Sequence, residues 1–179
     1  MDIKANRAST KYTQREQLLR LLWCFSSLLF QLSPRPLFGF RRALLRLFGA
    51  RVGRAVNVYP SAVVVMPWNL EIGDFSSVGE NALVYNLGKV TIGAQATISQ
   101  RAHLCAGTHD YCDPAMPLLK PPITIGDQAW ICADAFVGPG VAVGEGAVVG
   151  ARAVAVKDVE PWSVVVGNPS RKVGVRKLR

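Results

Sequence analysis

Two of the 179 residues are histidine, His103 and His109, and histidine is the side chain that takes and returns a proton near neutral pH. General acid–base work is the chemistry these residue types offer, with His109 in the run Thr108-His109-Asp110 as the candidate base. Metal chemistry finds no ligand set. The four cysteines, Cys24, Cys105, Cys112 and Cys132, include no CxxC pair, and two histidines beside them give no zinc spacing. They read as small core residues in a reducing cytoplasm.

The formal charge of +9 is unevenly placed. Residues 1–51 hold ten basic side chains against two acidic, residues 52–159 six against nine, and residues 160–179 five against one. A mildly acidic middle argues against a nucleic-acid-binding body. The basic flanks suit phosphates, whether of a cofactor or of a lipid surface. The apolar stretch from Leu18 to Leu32 is 15 residues long and contains Arg20. It is short for a membrane span, and it lacks the position and cleavage site of a signal peptide.

His109 must be positioned by what surrounds it, and that is a repeat. Aliphatic residues fall at Val52, Val58, Val64, Ile72, Val78, Val84, Ile92, Ile98, Leu104, Ile125, Ile131, Val137, Val143 and Val149. Glycine follows eight of these fourteen, and the residue four places on is Ala, Ser, Thr, Gly or Val in all but one, Trp68. One inward aliphatic serves a short flat strand, and a corner without a bulky Cβ serves a tight turn. Three such units close a triangular turn of about 18 residues, and turns stacked at about 4.8 Å bury continuous aliphatic columns. The pattern predicts a parallel β-helix of about five turns over residues 52–159, with Ala155 in the last unit. A sheet with helical crossovers would need helical periodicity between strands, and this stretch has none.

The steps between units locate the candidate site. Val64 to Ile72 and Val84 to Ile92 are eight residues apart, so two extra residues bulge from the same corner each time. Leu104 to Ile125 is twenty-one, so fifteen extra residues leave the coil in an excursion within 105–122. His109 lies at its root. His103, six residues earlier, is expected at the preceding corner as a plain surface residue.

The flanks read as helices. Gln14 to Leu32 is rich in Leu, with Trp23, Phe25 and Phe30, and Pro34 and Pro36 stop it. A second helix is expected from Pro36 to Phe48, with Arg41, Arg42 and Arg46 among Leu44, Leu45 and Leu47, ended by Gly49. Residues 1–51 have two compatible roles open to them: covering the open first turn of the coil, an exposed sheet edge, and resting residues 14–48 on an anionic membrane with those arginines at the headgroups. Residues 160–179 form a basic tail, redirected at Gly167-Asn168-Pro169.

The array resembles the left-handed β-helix, or hexapeptide-repeat, acetyltransferases. Within them it is most similar to the maltose, galactoside and nodulation O-acetyltransferase branch, and there to the colanic acid (exopolysaccharide) acetyltransferases. The carrying residues are Leu44-Leu45-Arg46-Leu47-Phe48-Gly49-Ala50, Pro67-Trp68, Leu104-Cys105-Ala106-Gly107-Thr108-His109-Asp110, Ile125-Gly126-Asp127-Gln128-Ala129-Trp130-Ile131 and Phe136-Val137-Gly138-Pro139-Gly140-Val141. The left hand of the coil comes from the resemblance, since the usual crossover rule points to the right.

The resemblance implies an acetyl-CoA-dependent O-acetyltransferase acting on a saccharide, lipid-linked or free, without a metal. His109 would take the proton of the acceptor hydroxyl. Asn86 stands where sugar acetyltransferases carry an acceptor-contacting Asp; Tyr85 beside it and Asp110 complete the expected acceptor contacts. Trp130 matches a family Trp beside the pantetheine arm, Ala133 and Ala151 match small positions that let the arm approach, and Lys157 and Arg171 match basic residues near the phosphates. Lys172, Arg176, Lys177 and Arg179 add to that attraction. The family implies sites shared between coils, which with the flat faces of a triangular coil predicts a homotrimer; the cysteine usage and the basic N-terminal segment predict a cytoplasmic protein, peripheral at the inner face of the membrane where that segment binds it. Other readings are a xenobiotic acetyltransferase and a non-catalytic scaffold of the same coil. A carbonic-anhydrase-type β-helix needs three histidine ligands, one more than this chain has.

Overall fold

A computed structural model describes residues 1–178. The short strands stack into a left-handed parallel β-helix with three faces. The first face carries Arg51–Val52, Leu70–Ile72, Val90–Ile92, Ile123–Ile125 and Ala142–Val143. The second carries Asn57–Val58, Ser77–Val78, Thr97–Ile98, Trp130–Ile131, Val148–Val149 and Ser163–Val166. The third carries Val63–Val64, Leu83–Tyr85, His103–Cys105, Phe136–Val137 and Val154–Ala155. Every inward position from Val52 to Ala155 is buried, Val52 being the most exposed of them at 8%. The repeat register is thus the register of the core.

The corner glycines act by closeness rather than by dihedral freedom. A Cβ on Gly73 would lie 2.5 Å from the Ala94 nitrogen, and one on Gly126 2.5 Å from the Glu145 nitrogen. The next turn's backbone leaves no room. The left-handed conformation at these corners falls two residues on, at Phe75 (φ 60°) and Gln128 (φ 57°).

Three helices precede the coil: α1 (Ile3–Ala8), α2 (Gln14–Leu32) and α3 (Phe38–Leu47). A capping box opens α2, with Thr13 accepting from the Glu16 amide and Glu16 accepting from the Thr13 amide. Trp23 and Phe30 are its buried residues, and Trp23 packs against Phe48 at 5.0 Å between ring centroids. α3 begins at Phe38, later than its sequence suggests, because Pro34 to Leu37 form turns first.

In a parallel ladder each turn's amides donate to the next turn's carbonyls, as Gly53 does to Ile72 and Tyr59 to Val78. The first turn's own carbonyls therefore face an open end. Side chains from the helices fill it. Trp23 Nε1 donates to Val64 O at 2.7 Å, Arg41 Nε to Val58 O at 2.6 Å, Arg42 Nη1 to Val56 O at 2.8 Å, and Arg46 Nε to Val52 O at 2.9 Å. All three faces are capped in this way. Arg41 is fully buried, and its remaining donors bond Ser33 Oγ, Pro34 O and Arg35 O. This corrects the expectation that Arg41, Arg42 and Arg46 meet anionic headgroups, since their guanidiniums are engaged with carbonyls of the coil's first turn, though Arg46 itself stays exposed. Beside its exposed polar residues, α2 leaves an apolar stripe in solvent: Leu18, Leu21, Leu22, Phe25, Leu28, Leu29 and Leu32 are each 48–82% exposed. Among the described residues no helix is long and apolar enough to cross a membrane.

The C-terminal segment is more ordered than a tail. Ser163–Val166 adds a sixth rung to the second face, and Arg171–Val175 pairs with it antiparallel. Arg176 Nη1 then reaches Gln128 O at 2.7 Å. Arg179 lies outside the described residues.

Candidate active site

The corner between the third and first faces carries both bulges and the excursion. At its base Gly107 lets two side chains come close; a Cβ there would lie 3.0 Å from Leu87 Cδ1 and 3.1 Å from Tyr85 Cε1. The chain then leaves the coil as Thr108–His109, pairs antiparallel with Leu118–Leu119, and returns. This short ladder makes the root of the excursion firm. Two side chains shape its tip, Asp110 Oδ1 accepting from the Cys112 amide at 3.0 Å and Asp113 Oδ1 from the Ala115 amide at 2.7 Å.

His109 is half-buried, and its Nδ1 lies 2.7 Å from the Met116 carbonyl oxygen. A carbonyl can only accept, so Nδ1 carries the hydrogen and Nε2 keeps its lone pair. That is the tautomer a general base requires, and it is set by the backbone of the excursion itself.

The residues around His109 differ in what they leave free. Tyr85 is half-buried beside the excursion root, and burial raises its phenol above the ordinary value. Asn86 is fully buried: its Oδ1 accepts from the Met66 amide at 2.9 Å and its Nδ2 donates to the Met66 carbonyl at 2.6 Å. It brackets one bulge to the other, so where the sequence suggested an acceptor contact the Asn86 side chain is buried and tied to Met66. Asp110 is half-buried and braces the tip. His103 is not at a corner. It stands on the third face between Tyr85 and Phe136, 6.4 Å and 5.2 Å between centroids, with its Nε2 buried and unpartnered among the described residues. Burial lowers its pKa. This corrects its reading as a plain surface residue.

The candidate cofactor residues occupy other parts of the coil. Trp130 is on the second face, 45% exposed, with Nε1 donating to Ser99 Oγ at 2.8 Å. Ala133 and Ala151 follow at the corner between the second and third faces, one above the other on successive turns. Arg171 lies beyond them, where the neighbouring Ser170 amide donates to the Val154 carbonyl. Lys157 and Arg171 line one open cavity of about 410 Å³ at the end of the coil, with Lys172, Asp158 and Glu160. Lys172 is already paired with Glu160 at 2.6 Å. His109 and Lys157 therefore share one corner of the triangle, while Trp130, Ala133 and Ala151 lie on another face and corner.

All four cysteines are free. Cys132 is buried and Cys105 half-buried, and burial raises both thiols, away from the nucleophilic thiolate. Cys24 and Cys112 are exposed rather than in the core. Among the described residues no group of three His, Cys, Asp or Glu side chains is placed to hold a metal ion. The sequence reading missed the Met116 carbonyl, because a backbone acceptor seven residues away carries no residue-type signal.

No protein-family model matches the chain. The chain is 41% identical over 152 residues to the putative colanic acid biosynthesis acetyltransferase WcaF of Escherichia coli strain K12, covering 85% of this chain and 84% of that protein. It is 29% identical over 136 residues to the galactoside O-acetyltransferase of the same strain, covering 74% and 67%. Among solved structures, a galactoside acetyltransferase in complex with coenzyme A superposes with a TM-score of 0.85 at 26% identity, over 97% of this chain and 88% of that one. A hexapeptide-repeat acetyltransferase from Vibrio cholerae, complexed with acetyl coenzyme A, gives 0.84 at 25% identity, over 94% and 92%.

Proposed function

The chain belongs to the hexapeptide-repeat acetyltransferases, and from that premise we propose that it acetylates a sugar hydroxyl of an exopolysaccharide precursor, with acetyl-CoA as the donor. The observation that carries this reading is the 2.7 Å contact between His109 Nδ1 and the Met116 carbonyl oxygen, which assigns the hydrogen to Nδ1 and the lone pair to Nε2. Nε2 takes the proton of the acceptor hydroxyl. The oxygen attacks the thioester carbonyl, the C–O bond forms, and the C–S bond breaks. The thiolate leaves and takes the proton back from His109, which ends as it began. Tyr85 offers a ring for the sugar to pack on. The exopolysaccharide assignment leans on the 41% relative and its name.

The donor is assigned to the strip from Trp130 past Ala133 and Ala151 to the basic end at Arg171 and Lys157. His109 lies at a different corner of the coil from the Trp130, Ala133 and Ala151 part of the strip, which supports a site shared between two copies in a trimer. The apolar stripe of α2 supports a location at the inner face of a membrane, where a lipid-linked acceptor would be met.

The test is thiol release from acetyl-CoA with a saccharide acceptor. His109→Ala is expected to cut turnover by roughly 10²–10⁴-fold, the usual worth of a positioned base, with melting temperature and acetyl-CoA affinity unchanged. More than about a tenth of wild-type turnover would move the base elsewhere.

A further inference from the structure

His109 does not hold its orientation by its own ladder alone. The Met116 carbonyl that accepts from Nδ1 at 2.7 Å also accepts from Asn6 Nδ2 at 2.5 Å. Asn6 Nδ2 reaches the Ala115 carbonyl as well, at 2.8 Å. One helical turn earlier, the Asp2 amide donates to the Pro114 carbonyl at 2.6 Å. Three successive carbonyls of the excursion, from Pro114 to Met116, are held by α1 and its cap residue. Further along, Lys120 Nζ donates to Lys11 O at 2.9 Å and lies 4.5 Å from the Tyr12 ring centroid.

Nothing apolar explains this docking, since α1 buries no side chain. What the arm does is bond the backbone that bonds the histidine. Met116 has a φ of 45°, a conformation that persists in a non-glycine residue when its surroundings fix it. Two donors on its carbonyl do so, one from the N-terminal helix and one from the excursion itself. Without Asn6 the peptide after Met116 is free to turn, and Nδ1 loses the fixed acceptor that sets its tautomer.

We propose that Asn6 is a positioning residue for His109, acting through the Met116 carbonyl. The proposal rests on His109 being the base, so its test is a double-mutant cycle on the full chain. Asn6→Ala and Asn6→Asp are each expected to lower kcat by roughly tenfold, the order of loss for a misplaced catalytic group. Asn6→Asp keeps the shape and loses the donors, so a kcat within about twofold of wild type overturns the proposal. The KM for acetyl-CoA and the melting temperature are expected to stay put; a joint fall in stability and acetyl-CoA affinity marks a merely structural arm and overturns it. In a His109→Ala background, Asn6→Ala is expected to cost nothing more. An undiminished further loss there shows Asn6 acting independently and also overturns it. If His109→Ala alone keeps turnover, the base assignment itself has failed, and that result is read before the cycle is closed.

Discussion

His103 and His109 stand six residues apart and meet opposite surroundings. His109 has a carbonyl for one nitrogen and a free lone pair on the other. His103 has aromatic edges on two sides and a buried Nε2 without a partner, so the folded protein favours its neutral form. Unfolding exposes it, and the exposed imidazole binds a proton below its ordinary value of about 6.5. The folded pKa is lowered, so its contribution to stability is complete above that value and is lost as pH falls from there through the folded pKa. Melting temperature should therefore drop between pH 7.5 and 5.5, and His103→Leu should flatten that drop. Identical pH profiles for the two proteins would show that burial at His103 carries no linkage.

At the scale of elements the decisive feature is the cap. A β-helix has an end where a full turn of carbonyls meets no partner, and buried carbonyls without donors cost about 1–3 kcal/mol each. Here α2 and α3 bring one indole and three guanidiniums to that edge. Long basic side chains suit the task because a guanidinium offers five donors in a fixed fork. Arg41→Ala leaves Val58 O, Ser33 Oγ and two further carbonyls short of a donor. The urea midpoint should fall by an amount worth roughly 1–3 kcal/mol or more, and Arg41→Lys should restore only part, having no fork. A midpoint equal to wild type would mean that the end of the coil is satisfied by water instead.

For the whole molecule, two surfaces are left over from the single chain. The separation of His109 from Trp130 and Ala133 around the triangle predicts that the active species is an assembly of copies. Sedimentation should give about three times 19.4 kDa, and an active monomer would sink the shared site. The other surface is the leucine and phenylalanine stripe of α2, larger than the scattered apolar residues of an ordinary surface. The membrane contact proposed for it would be made by insertion, each Leu or Phe contributing up to about 1.5–3 kcal/mol when buried. Wild-type protein should float with anionic vesicles, and Leu22→Ser combined with Phe25→Ser and Leu29→Ser should remain behind. With the guanidiniums of Arg41, Arg42 and Arg46 engaged by first-turn carbonyls, added salt should weaken flotation only modestly. Flotation lost entirely at physiological salt would return the contact to charge, and a wild type that never floats would leave the stripe to another chain.

The coil was legible before any coordinates because its rule is local. A strand of two or three residues has one inward position, and stacking repeats that position every six residues, so Val52 through Ala155 announce the core by spacing alone. The interruption was legible for the same reason, and with it His109 at the root of the excursion. The helices showed their periodicity, yet not which way their arginines point: Arg41 beside Leu44 and Leu45 reads as an amphipathic surface, and only the open carbonyls of the first turn draw it inward. Asn86 reads as a free corner residue until the bulge at Met66 is stacked beside it. Asn6 carried no signal at all, because the partners of its amide nitrogen lie more than a hundred residues away and are backbone carbonyls, which every residue possesses. Spacing along the chain encodes what repeats; hydrogen bonds made once, between distant segments, exist only when the chain has closed on itself.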